Sequence, residues 1–531
     1  MGITFTNARV LDGTGSPWFR GSITVRDGKI ERLWRTTDPD IESEERIDVD
    51  GAVISPGFID AHSHSDLRPF SDPALPSKTM QGVTTEILGQ DGFSMAPLHR
   101  DEGREEWQSH LERLAGPLEG EWSWGDIEAY LDALDDNGLG VNVATFVGHG
   151  TVRYNVVGMG EETPTETELE EMADLVTEGL EAGAIGFSTG LVYTPQVYAD
   201  THEMRTLARR LAPYGRPFVA HIRSEGRWIW DAIDEFYDIG AEEGIPVHHS
   251  HCKVSAKSHV GKADRVRSLM DAARERGVDV TADMYPYTAG STPLVGLLPP
   301  WVTADGLETT REIISDPEQR TELRKDIEQW RLEGWENIPG KIGWEDIHVA
   351  NVGSETNEHL TGDSFVAIAN RRGVHPVDVM CDLLLEEDFD VQTIEHGMLE
   401  SDVRELMSDD RIAIGSDGLF STTPHPRLYG TYPRVLGHYV REENHLGLAE
   451  AIRKMTSLPA RAMGLDQKGV LRPGLDADLV VFDPGTVASP ATYDRPRQYP
   501  TGIEHVLVNG EFVVRNGEHT ETLPGRTIRH E

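Results

Sequence analysis

The spacing of apolar positions changes along the chain. From residue 1 to about 57 apolar and polar residues alternate in twos, in ITFTNARVLDG, GSITVRDGKIERLW and IDVDGAVISPG. Gly and Asp-Gly steps separate these runs, so the pattern predicts short strands joined by tight turns. The same period returns from about residue 470, in DADLVVFDP and HVLVNGEFVVRNG. One small β domain built from both termini, 1–57 with 470–531, is the expectation. The middle, 58–469, reads differently. Short apolar runs such as TTEILGQ, VNVATFVGHG, AIGFSTG, PFVAHIRSE, DVTADMYPY and RIAIGSDG alternate with stretches of helical period such as TETELEEMADLVTEGLEAG and RVRSLMDAARERG. Repeated β–α units predict a parallel sheet covered by helices. A count of about eight strands favours an α/β (β/α)₈ barrel, with its chemistry at the C-terminal strand ends. Residues 286–346, rich in Pro, Trp and charge, break the rhythm and predict a subdomain inserted between two barrel strands.

Composition adds limits. The 531 residues allow roughly two to four domains. Asp and Glu number 91 against 49 Lys and Arg, a net charge of -42. The acid is dispersed, in patches such as EEMADLVTEGLE and LLLEEDFD, and lysine is scarce beside arginine. Such a surface repels phosphate and argues against nucleic acid as a partner. Two readings fit it: adaptation to high salt, which the lysine depletion favours, or an ordinary acidic protein. The two cysteines, Cys252 and Cys381, provide no disulfide framework. The N-terminus enters strand-like alternation directly and no run approaches the ~18 apolar residues of a membrane span. A cytoplasmic location away from membranes is the expectation.

The polar groups cluster where the apolar runs stop. FIDAHSHSD ends in His62 and His64, two residues apart and so on one side of an extended chain. LGQDG carries Asp91, HIRSEG carries His221, Arg223 and Glu225, and IPVHHSHCK carries His248, His249 and His251. The last run reaches Asp417 in GSDG. Imidazoles and carboxylates on separate strand ends suit Zn²⁺ or a similar divalent ion. Such an ion implies hydrolysis, with a carboxylate, best Asp417, moving the proton. By alternation His249 is expected to share the face of His251 while His248 points away. His149 in VGHGTVR either lines the pocket or satisfies a backbone carbonyl.

These motifs resemble the amidohydrolase superfamily, and within it the N-acyl-D-amino-acid deacylases (D-aminoacylases). PGFIDAHSHSD is shared widely; YPYTAGST and HPRLYGTYPRVLG are specific to the deacylase branch. The resemblance spans essentially the whole chain, in order. It implies a metal-dependent TIM barrel, a small β-sandwich from both termini and an insertion in the barrel. It implies that His221 and His251 hold a tight zinc ion and that His62 and His64 belong to a second, weaker metal position. Asp417 matches the general acid/base. Lys253, Tyr285 and Ser291 match residues near the substrate carboxylate, and Arg427 an arginine of the substrate-facing loop, where a planar guanidinium suits a carboxylate. Arg223 either joins them or pairs with acidic neighbours.

One departure stands out. The family usually reads GNCG, with a metal-binding cysteine, where this chain reads GQDG. Asp91 either replaces the thiolate, binding zinc at ~2.0–2.2 Å, or is a plain turn residue before glycine. The run GAIGFSTGLVY also lacks the lysine that cyclic-amide hydrolases of the superfamily carbamylate. The resemblance therefore implies one or two divalent ions, zinc first, and hydrolysis of the linear amide of small N-acyl-D-amino acids. The alternatives are a dipeptidase acting on peptides with a C-terminal D-residue, another amide hydrolase or a deaminase of the superfamily, or a non-catalytic binding protein.

Overall fold

The computed structural model describes residues 2–40, 43–332 and 335–530. Eight parallel strand positions form the barrel. They are β1 (Phe58–Asp60), β2 (Val83–Leu88), β3 (Asn142–Thr145, continuing as Val147–Gly148), β4 (Phe187–Gly190), β5 (Phe218–His221), β6 (Val247–His249), β7 (Val280–Met284) and β8 (Ile412–Ile414). Each pairs with the next in parallel register, from Phe58 beside Val83 to Ala282 beside Ile412. Closure comes at the strand ends: Ser63 bridges Gly418, and the Asp417 N–H donates to the His62 carbonyl at 2.8 Å. The strands are buried on both faces, which is why they read as apolar runs rather than as alternation. Ile59, Ile87, Ala144, Ile185 and Val219 fill the barrel floor against Ala460, Met463 and Leu465.

The covering helices follow from the helical-period stretches. Helix Glu166–Glu181 starts at a capping box, in which Thr165 accepts from the Glu168 N–H and the Glu168 carboxylate accepts from the Thr165 N–H. Leu169, Met172, Ala173, Val176 and Leu180 form its buried stripe. Among the described residues no helix is long and apolar enough to cross a membrane.

Both termini enter one nine-stranded sheet, joined where Val53–Pro56 runs antiparallel to Leu479–Phe482. Ile30 exchanges backbone hydrogen bonds with Leu475 and Gly474, so the sheet curls round a core of Phe5, Ile23, Val25, Ile54, Leu479 and Leu507. The C-terminal boundary differs from expectation. Residues 524–530 leave this sheet and lie against the barrel, with Gly525 bonded to Leu139 and Ile528 to Val143.

The insertion also differs. The chain leaves the barrel after β7 and returns only at helix Glu400–Met407 and β8, so the excursion reaches well beyond 346. Strands Gly290–Pro293, Ile347–Val352 and Val391–Glu395 pair with one another in an antiparallel sheet, with 391–395 in the middle. This unit has its own core, including Leu297, Ile314, Leu323, Phe365 and Met380. Its second half is not legible in the sequence because IHVANV and DVQTIE, separated by helices, repeat the barrel's own rhythm.

Candidate metal centre

Five strand ends deliver the candidate side chains to one point. His62 and His64 follow β1, Asp91 follows β2, His221 ends β5, His251 follows β6 and Asp417 follows β8. The short turn Gln90–Gly92 puts Asp91 in a left-handed conformation, φ 54°. The turn is tied down by its backbone: the Asp91 carbonyl accepts from Gln196 and the Gly92 N–H donates to Ser188. Gly190 allows this approach, since a Cβ there would lie 2.5 Å from the Asp91 carbonyl oxygen. His251, φ 32°, and Asp417, φ 50°, are left-handed as well. Three non-glycine residues in this sparsely populated region meet at a single site.

Asp91 stands between the two histidine pairs. Its Oδ2 is 3.6 Å from Nε2 of both His62 and His64 and 4.0 Å from Nδ1 of His221. Its Oδ1 is 3.6 Å from Nε2 of His251. Two ligand sets result, His62–His64–Asp91 and Asp91–His221–His251, each with its donor atoms within 4.8 Å of one another. So Asp91 is a turn residue by backbone and faces the centre by side chain; the two readings of GQDG are compatible.

Several polar atoms of these side chains lack other work. Both nitrogens of His62 and His221, Nδ1 of His64 and Oδ1 of Asp91 are buried without a hydrogen-bond partner. Buried polar atoms are nearly always satisfied, and a nitrogen and oxygen set of this kind suits a divalent ion. The residues present therefore fit such an ion. Burial holds His221 neutral, its pKa down to about 3, which is the ligating form. Burial opposes ionisation of Asp91, but His62 and His251 outweigh it and hold the carboxyl well below its ordinary range.

Asp417 touches both the centre and Arg427. Its Oδ1 lies 3.2 Å from Nε2 of His64, and its Oδ2 forms an ion pair with Arg427 Nη1 at 2.9 Å. Burial pushes this carboxyl up, and Arg427 and His64 more than offset it, so it stays ionised. The Arg427 guanidinium lies over the Tyr285 ring at 4.7 Å and donates to the Ser291 carbonyl. Lys253, Tyr285, Ser291 and Arg427 all line one cavity of about 810 Å³ with His64, Asp91, His221, His251 and Asp417. The Tyr285 and Ser291 hydroxyls have no hydrogen-bond partner there.

Arg223 does not join them. It forms a two-pronged pair with Glu235 of helix Ile229–Glu243, at 2.9 and 3.1 Å, and does not line the cavity. It lies two residues past the end of β5, where the chain has left the extended strand, so it does not follow His221 into the centre. The parity of β6 is also opposite to expectation. His248 points inward, held by Thr281 and Asp283, whereas His249 packs outward against Phe236 and Tyr237. The left-handed His251 breaks the alternation from which its face was inferred. His149 is bound by Thr189 and Glu203 and lies outside the cavity.

Residues 45–514 match the Amidohydrolase family. The chain belongs to this family. It is 34% identical over 525 residues to the D-aminoacylase of Alcaligenes xylosoxydans xylosoxydans, covering 98% of this chain and 96% of that protein. The N-acyl-D-glutamate deacylase of the same organism is 34% identical over 524 residues, covering 98% and 95%. The N-acyl-D-glutamate deacylase from Bordetella bronchiseptica, solved with zinc and a phosphonate mimic of the tetrahedral intermediate, superposes with a TM-score of 0.83 at 33% identity, covering 99% of each chain.

Glu225 was marked by its place in HIRSEG, whereas Glu336, Lys341 and Lys78 were not legible beforehand. Glu225 lies 3.1 Å from Nδ1 of His251 and accepts from Lys253 Nζ at 2.5 Å. Glu336 and Lys341, an ion pair at 2.6 Å, enter the cavity from the insertion. Glu395 lines the same wall. Beneath the candidate centre, Lys78 donates to Asp60 at 2.7 Å and lies 2.9 Å from Glu86, fully buried. Lys78 also reaches Ser63 and Ser416, tying the first strand end to the last. The signal for this network was a glutamate inside the apolar run TTEIL, which otherwise makes no sense in a core.

Proposed function

We propose that this amidohydrolase cleaves the linear amide bond of N-acyl-D-amino acids, releasing a carboxylate and a D-amino acid. The observation that carries the reading is the convergence of two histidine pairs on Asp91, beside a wall made of Lys253, Tyr285, Ser291 and Arg427. His221, His251 and Asp91 would hold one divalent ion, zinc being the first candidate, and His62, His64 and Asp91 a second. A bound ion supplies Lewis-acid polarisation of the acyl carbonyl and brings the pKa of water to about 7. Asp417 accepts the proton of the attacking water and returns it to the departing nitrogen. Lys253, the Tyr285 and Ser291 hydroxyls and Arg427 orient the substrate carboxylate and so select the enantiomer. The carboxylate of Glu225 holds Lys253 in place. The acidic surface fits a cytoplasm of high salt.

A second reading has one observation in its favour. Glu395 faces the cavity with Thr393 as its hydrogen-bond partner. That is the acidic group a dipeptide's free amine requires.

One experiment separates them: metal content together with amino-acid release from N-acetyl-D-, N-acetyl-L- and dipeptide substrates. Stoichiometric metal with D-selective release from N-acetyl compounds is the expected result. Faster release from dipeptides ending in a D-residue would transfer the assignment to the dipeptidase. A protein that takes up no metal would sink both.

A further inference from the structure

We infer that the acyl group of the preferred substrate is a long apolar chain, housed in a chamber behind Tyr193. The inference rests on the deacylase reading above. A second cavity adjoins the reaction pocket. The two share Leu114, Val192, Tyr193, Thr292 and Gly296 as common wall. Most of the rest of the chamber is apolar, with Phe93, Trp107, Met159, Val295, Leu298 and Leu307 among its lining.

Tyr193 marks the junction. Its ring meets His221 edge-on, centroids 5.1 Å apart, and lies 5.5 Å from Phe93. Phe93 in turn meets Trp107 at 6.1 Å. The apolar wall thus begins one ring away from the candidate metal centre.

Charge decides which half of the substrate enters. Lys253, Tyr285, Ser291 and Arg427 line the reaction pocket and not the chamber. A carboxylate has its partners in the former. The chamber's ionisable lining is Glu106, His110 and Arg113, and the Arg113 cation is countered by Glu106, Asp388 and Glu112. Glu106 is exposed and accepts the Leu307 N–H. Burial, then the nearby Arg113, holds His110 neutral, its pKa down to about 3. An acetyl group would leave the chamber to water against aromatic walls, whereas an alkyl chain would displace that water.

The test is a series of N-acetyl-, N-butanoyl-, N-hexanoyl- and N-octanoyl-D-alanine, with N-acetyl-D-phenylalanine as the side-chain control. The expected kcat/KM rises about two- to four-fold per added methylene, with no comparable gain for N-acetyl-D-phenylalanine. Met159→Trp fills the chamber and should lower octanoyl turnover at least about ten-fold more than acetyl turnover. Leu307→Trp serves where that variant fails to fold. A flat chain-length profile, with the acetyl substrate still hydrolysed, overturns the inference and leaves the deacylase reading intact. A gain that follows the side chain instead overturns it too. If no N-acyl-D-amino acid is cleaved, the deacylase reading fails by itself. Calorimetric titration with decanoate then reads the chamber directly: binding that Met159→Trp abolishes supports it, and no binding overturns it.

Discussion

Asp91 carries two demands at once, a left-handed backbone and a side chain between four imidazoles. Asparagine meets the first as well as aspartate does, so Asp91→Asn removes the anion without disturbing the turn. That variant should lose most of its bound metal and more than about 100-fold in activity, beyond what loss of an outer-shell partner costs. Asp91→Cys should retain metal, because a thiolate is also a zinc ligand. Elemental analysis of the purified variants decides the matter. Full metal occupancy in Asp91→Asn would reduce Asp91 to a turn residue. The identity of these residues was legible because strand ends in a barrel collect the chemistry. The parity of His248 and His249 was not, because a single left-handed residue, His251, resets the alternation on which such inference depends.

At the scale of elements, the insertion is bolted to the barrel at one place that bears on the site. Glu336 accepts from the Ser224 hydroxyl and the Glu225 N–H, and it pairs with Lys341. Lys341 Nζ is already 3.9 Å from Glu225, the carboxylate that holds Lys253. Glu336→Gln removes the nearer anion and frees Lys341 to compete for Glu225. Lys253 would then lose its anchor. Steady-state kinetics should show KM raised about ten-fold with kcat little changed, since what is lost is uniform binding of the substrate carboxylate. A fall in kcat at constant KM would mean that Glu336 acts on the chemistry instead. None of this was visible beforehand. The barrel strands announce themselves by apolar runs with polar ends, and the terminal sheet by its period of two. Glu225 meets Glu336 and Lys341 across more than a hundred positions, and no local pattern encodes these contacts.

The whole molecule carries a net charge of -42, and that charge acts on stability rather than on chemistry. Dispersed like charges destabilise the compact state by self-repulsion. The Debye length shrinks from about 10 Å at 0.1 M salt to about 3 Å at 1 M, so salt removes most of this cost. It also screens the surface ion pairs, such as Lys257 with Glu345, but exposed pairs of this kind contribute only about 0–1 kcal/mol each. The repulsive term therefore dominates the balance. Melting followed by circular dichroism should show Tm rising by about 5 °C or more between 0.1 M and 2 M KCl. Chloride is the right probe, because sulfate would stabilise almost any protein by exclusion from its surface. A Tm that is flat or falls with KCl would mean that the acidity is not a salt adaptation. In that case the buried network of Lys78, Asp60 and Glu86 and the packed cores set the stability without help from the medium.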